Sequence, residues 1–319
     1  MRAKLANWMA VAILAIAAAL ILRPTGSPPR EHADGAAAVA GQQRVPAFQQ
    51  TSQARLAARS PPSSAADAES LAQWAQEDPA AAAAWAFRLP ATPAREKALK
   101  SVAIAWANRD LLSAVAWARQ LPDDNERQSA LVCIGFEAAR SEPLTALVLA
   151  GELNADPDRD ELIRHAATEW AATAPEAAAE WARQIHDRPL RTRTLASIAT
   201  AWAEIDPRAA AMLAIEELEP GRLQEDAVVG IVQRWTQREP VEAAAWLSTF
   251  DDGELRTAAV QNLVKLWTDQ NPDDAGEWLK TLPPGSSRNH AIAAYVEQIA
   301  PAFPQRASQW AEFGRLNSP

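Results

Sequence analysis

Seven arginines stand in a register that could do chemistry. Arg95, Arg127, Arg159, Arg191, Arg256 and Arg288 each lie ten positions after a bulky residue that recurs along the chain, and Arg222 falls one position early in the same series. A guanidinium donates through a planar fork that matches carboxylates, so the column has two readings. It can tie the framework together, by donating to the carbonyls that end one helix or by pairing with a carboxylate of the next repeat. It can also form a ladder of cations, spaced about 10 Å apart, that reads an anionic partner such as an acidic peptide or a charged glycan. The column falls at the start of a helix, where the helix dipole disfavours a cation. A residue repeated against its local preference needs a cause, and the six in-register arginines are the partner-binding candidates.

Little else is arranged for reaction chemistry. The four histidines, His32, His165, His186 and His290, include no pair at metal-binding helical spacing. Asp251-Asp252 and Asp273-Asp274 fall in turns or helix starts, where carboxylates satisfy backbone N–H groups. A glycoside hydrolase needs two carboxylates held across a cleft, and no acid here differs from its counterparts in neighbouring repeats. There is no phosphate-binding glycine loop, nucleophile elbow or HExxH. The single cysteine, Cys133, rules out an intramolecular disulfide framework and a cysteine-built zinc site. The expectation is a protein without catalysis, cofactor or metal.

The elements that position these residues form a repeat. The bulky residue falls at Trp85, Trp117, Leu149, Trp181, Leu213, Trp246, Trp278 and Trp310, at steps of 32 with one of 33. Proline stands six positions earlier in seven of the eight copies, with Leu111 as the exception. Alanine stands three positions earlier in all eight. An unbroken column at fixed spacing is the mark of a repeat protein. Asp78, Asp110 or Asp206 caps the short helix, and proline takes the first helical position in seven copies, where its missing N–H costs nothing. The bulky residue and the apolar residue four later share a face. A turn such as Leu-Pro-Asp-Asp (121–124) follows, then a second helix with its own tryptophan column at Trp74, Trp106, Trp170, Trp202, Trp235 and Trp267. The alanine lets a neighbouring helix approach closely, and the tryptophan fills the space beside that crossing. The pattern predicts an all-α solenoid of seven helical hairpins with a half unit at each end, over residues 65–315.

The N-terminus reads differently. Residues 6–22, ANWMAVAILAIAAALIL, carry no charge and follow Arg2 and Lys4. Seventeen helical residues span about 25 Å, near the minimum for a bilayer. Residues 1–22 are therefore expected to be an uncleaved membrane anchor, with a cleaved signal sequence as the alternative. Residues 23–64, rich in Pro, Gly, Ser, Gln and Ala, read as a disordered linker. Residues 1–65 carry seven basic and two acidic side chains (+5), and the rest carries 24 and 38 (−14). An acidic body repels phosphate backbones, which argues against nucleic acid as a partner.

The opening phrase of each repeat resembles that of the tetratricopeptide repeat family, in which tryptophan follows Asp-Pro by six residues. Asp78-Pro79 to Trp85 and Asp206-Pro207 to Leu213 keep that spacing, and the likeness runs over residues 66–315. The period is 32 rather than about 34, and the family's Leu-Gly pair and tyrosine are absent from the first helix. The resemblance implies a right-handed superhelix with a concave, partner-binding groove. The expected function is a membrane-tethered scaffold that binds a protein or peptide, with its repeats exported to the periplasmic side. A spacer without a ligand and a carbohydrate-active helical enzyme are the alternatives.

Overall fold

The computed structural model describes residues 68–316. The anchor and linker expected over 1–22 and 23–64 lie outside the described residues. Within them no helix is long and apolar enough to cross a membrane.

Aspartate and proline set where each short helix begins. The side chains of Asp78, Asp110 and Asp206 accept from the backbone N–H of Ala81, Ser113 and Ala209 at 3.0–3.1 Å. Asn271 does the same for Asp273 and Asp274. The even-numbered helices that result are α2 (Pro79–Arg88), α4 (Leu111–Ala118), α6 (Pro143–Ala150), α8 (Pro175–Arg183), α10 (Pro207–Glu217), α12 (Pro240–Leu247), α14 (Pro272–Thr281) and α16 (Pro304–Leu316). The odd-numbered set carries the second half of each repeat: α1 (Ala68–Glu77), α3 (Pro93–Arg109), α5 (Asp124–Ala139), α7 (Pro157–Ala171), α9 (Arg188–Trp202), α11 (Arg222–Arg238), α13 (Glu254–Gln270) and α15 (Ser286–Ile299). Among the described residues the chain is all-helical, with sixteen helices and no strand, consistent with an α-solenoid.

These residues fall into two compact units, 68–166 and 167–316, divided within α7. Both are built alike. In the first, α1, α3 and α5 pack on one another in a row, and α2 and α4 each nest between two successive members of it. In the second, α9, α11, α13 and α15 form the row, with α10, α12 and α14 nested in the same way and α16 against α15.

Alanine sets the depth of the nesting. Ala82, Ala114, Ala146, Ala178, Ala210, Ala243 and Ala275 are each fully enclosed, and Ala307 in the last copy is 5% exposed. The recurring tryptophans do more than fill space beside that crossing. Five of them each pack on the tryptophan eleven residues earlier, at the end of the preceding odd helix. The ring centroids are 6.2 Å apart for Trp74–Trp85, 5.4 Å for the stacked Trp106–Trp117, 6.3 Å for Trp170–Trp181, 5.7 Å for Trp235–Trp246 and 5.9 Å for Trp267–Trp278. Where Leu149 replaces tryptophan, the partner position holds Ala138 and both are buried. The last pair is Tyr295 against Trp310 at 5.0 Å. Tyr295 Oη donates to the Pro272 carbonyl at 2.7 Å, and only a glycine fits beside it, since a Cβ on Gly276 would sit 2.8 Å from that oxygen.

The contrast between neighbouring alanines makes a test. Ala178 of α8 is fully buried, whereas Ala177 on the same helix is exposed. Ala178→Leu should overpack the crossing and cost about 1–3 kcal/mol. Ala177→Leu should stay within about 0.5 kcal/mol of the parent. Urea unfolding of the two variants decides it, and equal midpoints would remove the close-approach account.

Candidate functional site

The arginine column lies largely inside the framework. Arg127 Nη1 donates to the Leu121 carbonyl at 3.0 Å and Arg191 Nη1 to the Ile185 carbonyl at 2.8 Å. In both cases the acceptor lies six residues back, in the turn that ends the preceding short helix, where carbonyls have no helical partner. Arg127 also pairs with Asp124. Arg95 Nη2 reaches across to Glu126 of the next repeat at 2.7 Å, with its guanidinium 4.6 Å from the centre of the Phe87 ring. Arg159 pairs with Asp160 at 3.0 Å. Arg256 and Arg288 are only 5% and 7% exposed, and Arg288 lies over the Phe313 ring at 5.1 Å.

Two sequence expectations change here. The six arginines do not form an exposed ladder of cations, because burial and nearby acceptors hold most of these guanidinium groups in the packing. Arg222 is not the fifth member of the column either. Its side chain is 92% exposed and meets only Asp226 of its own helix, at 3.7 Å. The fifth member is Gln224, 6% exposed, whose Nε2 donates to the Leu218 carbonyl, again six residues back, at 2.9 Å. The extra residue of this repeat is absorbed in the turn before α11, where Gly221 adopts φ 147°, a conformation side chains rarely take. The sequence places the extra residue in the turn at 219–221, and carrying that offset forward puts the column at position 224 rather than 222.

Further ion pairs link successive repeats. Arg119 pairs with Glu152, Arg183 with Glu217 at 2.8 Å, Arg208 with Glu242 at 2.9 Å and Arg306 with Asp273. Along the odd row, Arg109 donates to the Gln76 and Glu77 carbonyls and Arg238 to the Glu204 carbonyl. Each reaches the end of the preceding odd helix.

The aspartate pairs also serve structure. Asp252 Oδ2 accepts from the Ser286 N–H at 2.7 Å and Oδ1 from the Ser287 N–H at 2.9 Å. It thereby caps α15, whose own capping position is Gly285 and has no side chain to offer. Hydrogen bonding to Ser287 holds its carboxyl below the usual range, helped by the Ser286 N–H and the charge of Arg256. Around it lies a groove of about 540 Å³, lined by Glu225, Glu254, Gln261 and His290 among others. Among the described residues no group of three or more His, Cys, Asp or Glu is placed to hold a metal ion.

The even helices expose scattered apolar residues such as Leu112, Met212 and Val241, and the odd helices have an uncovered side of their own. In the first unit it carries Ile104 on α3, Cys133 and Phe136 on α5, and His165 on α7. Ile104 is 39% exposed, and Phe136 meets the His165 ring at 5.6 Å. Burial pushes the Cys133 thiol up, away from the thiolate that a nucleophile requires. The strip is uncharged, and Lys100 beside it is held by Glu96 at 2.7 Å. Sequence reading passed over Ile104 and Phe136, and weighed Cys133 and His165 only against disulfide and metal chemistry. The available signal was variation: position 104 and its counterparts read Ile104, Phe136, Thr168, Thr200, Gln233, Lys265 and Glu297, against an invariant alanine column.

The fold defines an all-helical repeat protein. Comparison with family models, with curated proteins and with solved structures finds no match to this chain.

A pH test follows from Asp252. A carboxyl whose folded pKa is depressed contributes stability above its unfolded pKa of about 4, and loses it as pH falls through the folded value. Asp252→Asn should therefore be less stable than the parent at pH 7. The gap should narrow below about pH 4 and close once the carboxylate is protonated in both states. Urea titrations between neutral and acid pH measure this, and a gap that stays constant would show that the charge plays no part.

Proposed function

We propose that this protein is a membrane-tethered helical-repeat scaffold that binds a protein or peptide partner in the cell envelope and carries out no catalysis. The tether is the apolar segment 6–22. The repeats stack as a superhelical α-solenoid on the exported, periplasmic side. The observation that carries the reading is the division of labour between columns. The charged side chains singled out by spacing are turned to packing within and between repeats, as with Arg127 on the Leu121 carbonyl of its own repeat and Arg95 on Glu126 of the next. The free side of the odd helices changes residue from repeat to repeat, and in the first unit it offers the uncharged strip Ile104, Phe136 and His165.

An uncharged, partly aromatic strip suits an extended or helical peptide with apolar anchors. The acidic body around it disfavours nucleic acid. The test is cross-linked co-purification from solubilised membranes with the full chain as bait, beside an Ile104→Asp/Phe136→Ser variant shown to melt like the parent. The expected outcome is a partner captured by the parent and depleted at least about tenfold with the variant, as for loss of an interface anchor. Equal capture by both would place binding elsewhere. Capture of nothing by either would favour a spacer.

A further inference from the structure

We infer that the face formed by α15 and α16 is a self-association surface, on which a second copy of this chain docks about a two-fold axis. This inference is independent of the partner binding proposed above. It begins with a groove of about 410 Å³ between α15 and α16, lined by Ile292, Val296 and the small residues Ala293, Ala311 and Gly314. Ile292 is buried at 3% exposure, whereas Val296 is half-buried, unlike its fully buried counterpart Val264 of α13. Ala293 and Ala311 are exposed.

Charge placement selects the occupant. Tyr295 packs on Trp310 and Ile292 abuts Gly314, so α15 and α16 run antiparallel. Glu297 and Arg315, which also line the groove, therefore lie towards its opposite ends. Among the described residues neither has an ion-pair partner. A two-fold axis through the apolar middle brings Arg315 of each copy against Glu297 of the other, satisfying both pairs with one operation. Such self-complementarity is what an isologous interface requires. A foreign partner would have to match the acid, the base and their spacing independently. The Asn289 side-chain oxygen adds to this, as it is buried on the groove wall and accepts no hydrogen bond among the described residues. Two helices each about 20 Å long give a face at the lower end of specific interfaces, so association should be read at micromolar concentrations.

The experiment is sedimentation velocity of the full chain in detergent micelles, from about 0.1 to about 100 µM. Four forms are compared: the parent, Glu297→Arg, Arg315→Glu and the double swap. The parent should dimerise, and each single swap should weaken the dimer about tenfold or more through like-charge contact across the axis. The double swap should restore it to within about threefold, since both pairs re-form with reversed sign. Both side chains are exposed, so the fold should be unaffected, and thermal melting checks this. A second readout is independent of the charges. Ala293→Cys, placed in a Cys133→Ser chain, should cross-link to its copy through a short bismaleimide. A monomeric parent, a dimer indifferent to the single swaps, a double swap that fails to restore it, or a dimer that does not cross-link at Ala293→Cys would each overturn the inference.

Discussion

The structure depends on how closely two helices can cross. An even helix sinks between two odd helices because its contact residue has only a methyl group, and the alanine column is enclosed at every copy from Ala82 to Ala275. A larger side chain there would hold the helices apart and strand the indoles that pack beside the crossing. Close approach leaves a hollow at the hairpin end, and a pair of aromatic rings fills it, as Trp106 and Trp117 do at 5.4 Å. Small against small and large against large is how helix pairs reach the density of an organic crystal. Leu149 with Ala138, both buried, shows that the column tolerates a smaller pair, and Leu213 stands after a retained Trp202.

Polar chemistry is bent to the same end. A short helix ends with carbonyls that have no helical partner, and the chain supplies a donor from the start of the next helix. Arginine serves in Arg127 and Arg191, and glutamine serves in Gln224. That an uncharged amide can take the place of a guanidinium identifies the required property as a donor of the right reach rather than a positive charge. Asp252 supplies the complement, an acceptor for the exposed N–H groups of α15. Each repeat is thus completed partly by its neighbour.

Much of this was legible in the sequence because each packing rule recurs once per period. The alanine and proline columns fixed the helices, their starts and their count, since these residues act through local geometry that repeats unchanged. The pairing of tryptophans across eleven residues was not read, although both columns were visible. Their contact depends on the angle between two helices, which spacing within one helix cannot supply. The fifth member was sought at Arg222 because the extra residue of the turn at 219–221 was not counted into the column, where it moves the position to Gln224. The free strip of Ile104, Phe136 and His165 left only a faint trace, because its residues obey no packing column and differ from copy to copy.

The eleven-residue spacing of the ring pairs bears on how such a chain finds its fold. Closing a loop of about ten residues takes tens of nanoseconds and little entropy. Each indole pair can therefore meet before any contact spanning a full repeat exists. The contacts that follow, such as Arg109 with Glu77 or Arg238 with Glu204, span 32 and 34 residues and join only adjacent repeats. No step requires distant parts of the chain to search for one another. Folding can advance one repeat at a time, with each finished hairpin serving as the template for the next.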